Sequence, residues 1–209
     1  MENKTETQKC CVVTCDLELG ETYWNNQYNA NAMGWDLGEV SPPLKAYIDQ
    51  LQNKNLRILI PGCGNTYEAA YLLQQGFTDI TVIDIAPTLV ENLKQKFKGN
   101  KKISIIQGDF FAHTGEYDLI LEQTFFCAIH PSLRQAYVAK ANELLAADGK
   151  LVGVLFDKEF EHEGPPFGGC KCQYIPLFEN YFRCKTFEPC YNSFIKRAGT
   201  ELFIILSRR

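Results

Sequence analysis

The run Ile58-Leu59-Ile60-Pro61-Gly62-Cys63-Gly64-Asn65 joins an apolar stretch to two closely spaced glycines. Glycine lets the chain turn tightly and lets a ligand approach bare backbone. At the carboxyl end of a buried strand, such a turn is where an open α/β sheet binds its ligand. Asp84 closes a second apolar run about twenty residues later, where a carboxylate accepts hydrogen bonds from both hydroxyls of a ribose. Asp109 follows a third run, in Gln107-Gly108-Asp109-Phe110-Phe111. Its carboxylate suits an adenine amino group, and Phe110 offers a backbone N–H and an apolar wall. A lone loop aspartate is usually a solvated turn residue. Three such features along one sheet edge point instead to a nucleoside site.

Two cofactor classes use this turn. The dinucleotide fingerprint needs a third glycine three residues after the second, to pack helix against strand beside a pyrophosphate. Tyr67 stands there. S-adenosylmethionine has no pyrophosphate, so the turn favours the methyl donor over a nicotinamide cofactor. A non-catalytic module that binds the donor is the rival of a different class. Methyl transfer from a sulfonium needs alignment and exclusion of water more than acid–base help. Aromatic faces suit it, since they pack the methyl group and attract the cation. Trp24, Tyr28, Trp35 and Phe126 are the candidates, although an isolated aromatic usually belongs to a core. No Ser-His-Asp order stands out. His113 reads as solvated, His130 as a helix cap, and His162 as part of a lid.

The elements that position these residues follow from the pattern of apolar runs. Arg57–Ile60, Ile80–Ile85, Ile103–Ile106, Tyr117–Leu121 and Lys150–Phe156 read as strands. Helices are expected from Pro42 to Gln52, Thr66 to Gln75, Pro87 to Lys98 and Pro131 to Ala147, with prolines at starts and glycines at ends. Alternating strands and helices imply one doubly wound, mostly parallel sheet, a Rossmann-like α/β fold. Arg183–Phe187 and Glu201–Ser207 lack a long helix between them, so they are expected to pair antiparallel. Residues 21–38 show no clear periodicity. Residues 1–20 read as an extension, strand-like at Cys11–Thr14, and residues 21–209 as one domain.

With 209 residues and 45% apolar content, the chain is long enough for one full core. A net charge of -4 gives no general attraction to nucleic acid. No apolar stretch approaches the roughly 20 residues that span a bilayer, so the expectation is a cytoplasmic monomer acting on a small molecule. Nine cysteines cannot all pair internally. The clusters Cys10-Cys11-Cys15 and Cys170-Cys172 lack the Cys-x-x-Cys spacing of zinc sites. Free thiols are expected and no metal.

The chain also resembles the thiopurine S-methyltransferase family, which includes the halide and thiol methyltransferases. The matching stretches are Trp24, Trp35-Asp36-Leu37-Gly38, Ile60-Pro61-Gly62-Cys63-Gly64, Val82-Ile83-Asp84-Ile85, Gly108-Asp109-Phe110-Phe111, Phe126-Cys127-Ala128-Ile129 with Arg134, and Gly164-Pro165-Pro166-Phe167. The resemblance implies an S-adenosylmethionine-dependent methyltransferase acting on a small soft nucleophile, a thiol first, a halide or hydrosulfide next. It implies that Trp24 and Trp35 enclose the sulfonium end, with Tyr28 where relatives often carry a tryptophan. Gly62 and Gly64 form the turn, Asp84 holds the ribose, and Asp109 with Phe110 holds the adenine. It further implies Glu122 near the methionine portion and Arg134, with Trp35, near the chemistry. The stretch 164–167 is expected to close over the acceptor, with Phe167 as an apolar wall.

Overall fold

The computed structural model describes residues 19–209. The strand-like reading of Cys11–Thr14 and the first cysteine cluster lie outside them.

Seven strands form one sheet in the order β3-β2-β1-β4-β5-β7-β6. They are β1 (Arg57–Pro61), β2 (Asp79–Asp84), β3 (Ile103–Gln107), β4 (Tyr117–Gln123), β5 (Leu145–Phe156), β6 (Phe182–Pro189) and β7 (Glu201–Arg208). The first five run parallel. β7 lies antiparallel between β5 and β6, as the short connection before it requires.

Side-chain alternation sorts each strand onto two faces. Ile58, Ile60, Val82, Leu119 and Leu121 pack on one face with α2 (Pro42–Ile48), α3 (Tyr67–Gln74) and α4 (Pro87–Lys96). Leu59, Ile83, Ile120 and Leu151 pack on the other with α5 (Arg134–Leu144) and α6 (Lys171–Glu179). With both faces covered, the parallel strands read as continuous apolar runs.

Three elements differ from the sequence reading. Residues 21–38 contain α1 (Glu21–Asn29), which buries no residue fully and so shows no helical stripe in its sequence. Helix α5 stops at Leu144 because Leu145 turns extended and begins β5, a strand whose register with β4 shifts before Lys150. Helix α6 carries Pro176 in its interior, which removes a backbone donor and hides the helix in the sequence. The expectation of free thiols also needs correction. Cys170 and Cys172 form a disulfide, their Cα atoms 5.3 Å apart and within disulfide reach. Cys63, Cys127, Cys184 and Cys190 are free. No helix among the described residues is long and apolar enough to cross a membrane.

Candidate active site

The ends of β1, β2, β4 and β5 border a cavity of about 730 Å³, within the size range of small-ligand sites. The glycine turn after β1 forms one side. Gly62 and Gly64 have φ of +52° and +51°, a region that side chains with a Cβ rarely adopt. A Cβ on Gly62 would lie 2.2 Å from the ring of Phe125, so glycine is required there by conformation and by space.

Asp84 is 7% exposed at the end of β2. Its carboxylate accepts from the Gly64 N–H at 3.2 Å and from the Ala86 N–H at 3.0 Å. The same side chain thus ties the turn to the start of α4. Burial raises its pKa, against the pull of these backbone bonds. A carboxylate has about four acceptor positions, so capacity remains for hydroxyls. Asp109 is exposed and accepts from the Phe111 N–H at 2.9 Å. The buried ring of Phe110 packs edge-on against Phe125. Asp84, Asp109 and Phe110 all border the cavity.

Beside the turn stands an aromatic corner, with the Tyr28 hydroxyl 3.6 Å from where a Cβ on Gly64 would lie. Trp24 and Tyr28, four residues apart on α1, share one helix face. Their ring centroids lie 5.5 and 5.8 Å from that of Trp35, at interplanar angles of 82° and 85°. The loop bearing Trp35 is anchored twice. Asp36 accepts from the Asn65 amide and, at 3.3 Å, from the Tyr67 hydroxyl. Tyr67, in the position of the absent third glycine, therefore ties this loop to the glycine turn. Arg197 supplies the second anchor, donating from Nη2 to the Trp35 carbonyl at 2.7 Å.

Two residues expected in the site stand behind its wall. Glu122, 1% exposed, accepts from the Phe125 and Phe126 N–H groups at 2.8 and 2.9 Å and from the Tyr137 hydroxyl at 2.7 Å. Burial pushes its pKa up to about 7. Arg134 donates to the carbonyls of Phe167 and Gly168 at 3.1 and 2.9 Å, its guanidinium 4.9 Å from the Phe126 ring centre. Neither borders the cavity. Glu122 positions the Phe125 turn through both carboxylate oxygens, and Arg134 holds the 167–168 backbone through Nη2. Pro165 and Pro166 border the cavity, whereas Phe167 does not; its N–H donates to the Cys127 carbonyl and its ring faces His130. His162 stacks on Phe160 outside the cavity. His130 does reach the rim and caps the short turn after it through Ser132.

Other residues of the cavity were not singled out from the sequence. Gln123 Oε1 and Thr66 Oγ1 are buried there without a hydrogen-bond partner among the described residues. Gln123 ends β4 beside β1, so the strand order alone marks it. Arg197 carries no local signal, since its partner Trp35 lies 162 positions away. The Cys63 and Cys127 thiols border the cavity. Burial raises both pKa values, that of Cys127 to about 12, so both stay protonated and are weak nucleophiles.

The fold matches that of solved methyltransferase structures. A crystal structure of Burkholderia thailandensis 1,6-didemethyltoxoflavin-N1-methyltransferase superposes with a TM-score of 0.72 at 18% identity, covering 90% of this chain and 86% of that one. The chain has the Rossmann-like methyltransferase fold. The profile of the thiopurine S-methyltransferase family matches residues 19–200. A probable thiol methyltransferase 2 from Arabidopsis thaliana is 31% identical over 163 residues, covering 74% of this chain and 72% of that protein. A thiopurine S-methyltransferase from Acinetobacter baylyi is 30% identical over 168 residues, covering 69% and 77%. The chain belongs to the thiopurine S-methyltransferase family and is a methyltransferase.

Proposed function

We propose that the chain transfers a methyl group from S-adenosylmethionine to a small soft nucleophile, with a thiol as the leading class and halide or hydrosulfide as the next. The observation that carries this reading is the meeting of the Gly62–Gly64 turn, Asp84 and the Trp24-Tyr28-Trp35 corner on one cavity. The residues present fit the donor. Asp84 keeps acceptor capacity for a ribose, and Asp109 with Phe110 frames the base. The orphaned Gln123 Oε1 offers an acceptor to an ammonium, and the aromatic corner offers ring faces to a sulfonium.

S-adenosylmethionine supplies an already activated methyl group, so the chain's residues have to orient and to exclude water. Trp24, Tyr28 and Trp35 pack the reacting end. Pro165 and Pro166 cover it, held in place through the backbone bonds of Arg134 and Phe167. The described cavity residues include no hydrogen-bonded acid–histidine pair. That absence suits a nucleophile that brings its own anion. The buried free thiols at Cys63, Cys127 and Cys190 support a reducing, cytoplasmic setting, and the Cys170–Cys172 disulfide weighs on the other side.

An acceptor panel scored by S-adenosylhomocysteine formation tests the reading. Aromatic and aliphatic thiols should be methylated, with iodide slower. Methylation of a catechol oxygen with none of any thiol or halide would overturn the soft-acceptor assignment. Saturable donor binding near micromolar, about -8 kcal/mol, is expected by calorimetry; its absence would overturn the donor assignment.

A further inference from the structure

The buried acids among the described residues are Glu68, Asp84, Glu122 and Glu201. A carboxylate taken out of water needs hydrogen bonds or a cation to offset its lost hydration. Asp84 accepts from the Gly64 and Ala86 N–H groups and stands where a ribose would bind. Glu122 accepts from two N–H groups and the Tyr137 hydroxyl. Glu201 lies 3.4 Å from the Arg197 guanidinium. Glu68 is the least provided for.

Glu68 stands in the first turn of α3, directly after the glycine turn, and borders the cavity. It is 5% exposed. Its Oε1 accepts from the Ser41 N–H at 3.0 Å, and it forms no ion pair among the described residues. Burial raises its pKa. The Ser41 N–H before α2 and its own N–H at the start of α3 pull the other way. Asp36, on the loop of Trp35, raises it further, and Arg197, before β7, lowers it. Arg197 acts only at a distance, because its Nη atoms are committed to Glu201 and to the Trp35 carbonyl. Cys63 and Tyr67, its titratable neighbours on the turn, are themselves shifted up and stay protonated.

The charge that Glu68 lacks is one the donor carries. The amino-acid end of S-adenosylmethionine, and of its demethylated product, holds an ammonium with three N–H donors and no acceptor. We propose that the Glu68 carboxylate is the counter-charge for this ammonium. The inference rests on the donor reading above. Gln123 can accept a second of the three N–H groups but brings no charge. Below its raised pKa, Glu68 of the free chain keeps a proton. Pairing with the ammonium favours the ionised carboxylate, so that proton leaves to solvent as the donor binds. Affinity therefore rises with pH until Glu68 is already ionised in the free chain, and levels off above.

The test compares S-adenosylhomocysteine with 5′-methylthioadenosine, which keeps the ribose and adenine and lacks the amino-acid end. Calorimetry gives both affinities for the natural chain and for Glu68→Gln, which keeps an acceptor for the Ser41 N–H and removes the charge. The affinity for S-adenosylhomocysteine should fall at least about tenfold, the scale of a hydrogen bond between charged groups. The affinity for 5′-methylthioadenosine should hold. Titrations of S-adenosylhomocysteine in buffers of different ionisation enthalpy count the protons released, at pH values stepped upward from the ordinary 4.5 of a glutamic acid. The natural chain should release more than the variant across this window. An unchanged S-adenosylhomocysteine affinity, equal losses for both compounds, or equal proton release from both chains marks Glu68 as a tie between α2 and α3 and overturns the proposal. Binding of neither compound to the natural chain overturns the donor reading instead.

Discussion

Arg197 donates to the backbone carbonyl of Trp35 at 2.7 Å, across 162 positions of chain. Its other Nη lies 3.4 Å from Glu201, and the guanidinium covers Phe156 at 5.3 Å. One buried side chain therefore joins the aromatic corner to the end of β5 and the start of β7. Trp24 and Trp35 are the two tryptophans of the chain, so intrinsic fluorescence reports on this corner directly.

Replacing Arg197 by Met should shift that fluorescence and weaken donor binding. It also leaves Glu201 buried without its cation, which costs about 3–5 kcal/mol. The double variant Arg197→Met/Glu201→Met should recover much of the stability and none of the donor affinity. Arg197→Lys should recover part of both. Thermal melts and calorimetry separate the outcomes; normal fluorescence and affinity in a folded Arg197→Met chain would refute the anchoring role.

Asp84→Ala removes the acceptor assigned to the ribose. Hydrogen bonds to a charged group contribute roughly 1.5–3 kcal/mol each, so donor affinity should fall at least about tenfold. The variant also frees the Gly64 and Ala86 N–H groups, so a lower melting temperature should accompany the loss. Donor binding equal to that of the natural chain would contradict the assignment.

Gly62→Ala should damage the site in two ways, by its positive φ and by its clash with Phe125. Adding Phe125→Ala relieves the clash and leaves the strain. Stability of the double variant should lie above that of Gly62→Ala and below that of Phe125→Ala. A chain in which Gly62→Ala melts normally would show that the turn has another conformation.

Glu122 makes stability depend on pH. Burial raises its folded pKa to about 7 from the ordinary 4.5. Between those values the folded chain keeps a proton that the unfolded chain releases. Stability from this group therefore falls as pH rises from about 4.5 through about 7, and levels off above. Glu122→Gln keeps an acceptor for the Phe125 and Phe126 N–H groups and removes the titration. Its melting temperature should vary less than that of the natural chain across this window; parallel profiles would exclude Glu122 as the source.

The sheet was legible in the sequence because the buried parallel strands are unbroken apolar runs closed by glycine, proline or aspartate. One rim of the cavity was legible for the same reason, since Gly62, Gly64, Asp84 and Asp109, which all border it, each follow or end such a run. Helix α6 was hidden by Pro176, and α1 by its weak burial. The positions of Glu122 and Arg134 behind the wall depend on tertiary partners, Tyr137 and the 167–168 carbonyls, that no local pattern encodes. Arg197 was invisible for the same cause. The Cys170–Cys172 disulfide was missed because its spacing was weighed against metal sites and not against the short span between an extended Cys170 and a Cys172 in the first turn of α6.

The place of β7 has a consequence for the order of assembly during synthesis. β7 fills the gap between β5 and β6, yet it follows both in the chain. Until it emerges from the ribosome, β5 presents an open edge and β6 has no neighbour in the sheet. Arg197 sits just before β7 and reaches back to Trp35, so the aromatic corner is fastened at that same late moment. A nascent chain stalled before residue 197 holds the glycine turn and Asp84 but lacks this fastening. The fastened aromatic corner and the closed sheet edge thus arrive together, and a nascent chain exposing β5 is the form most open to edge pairing with another chain.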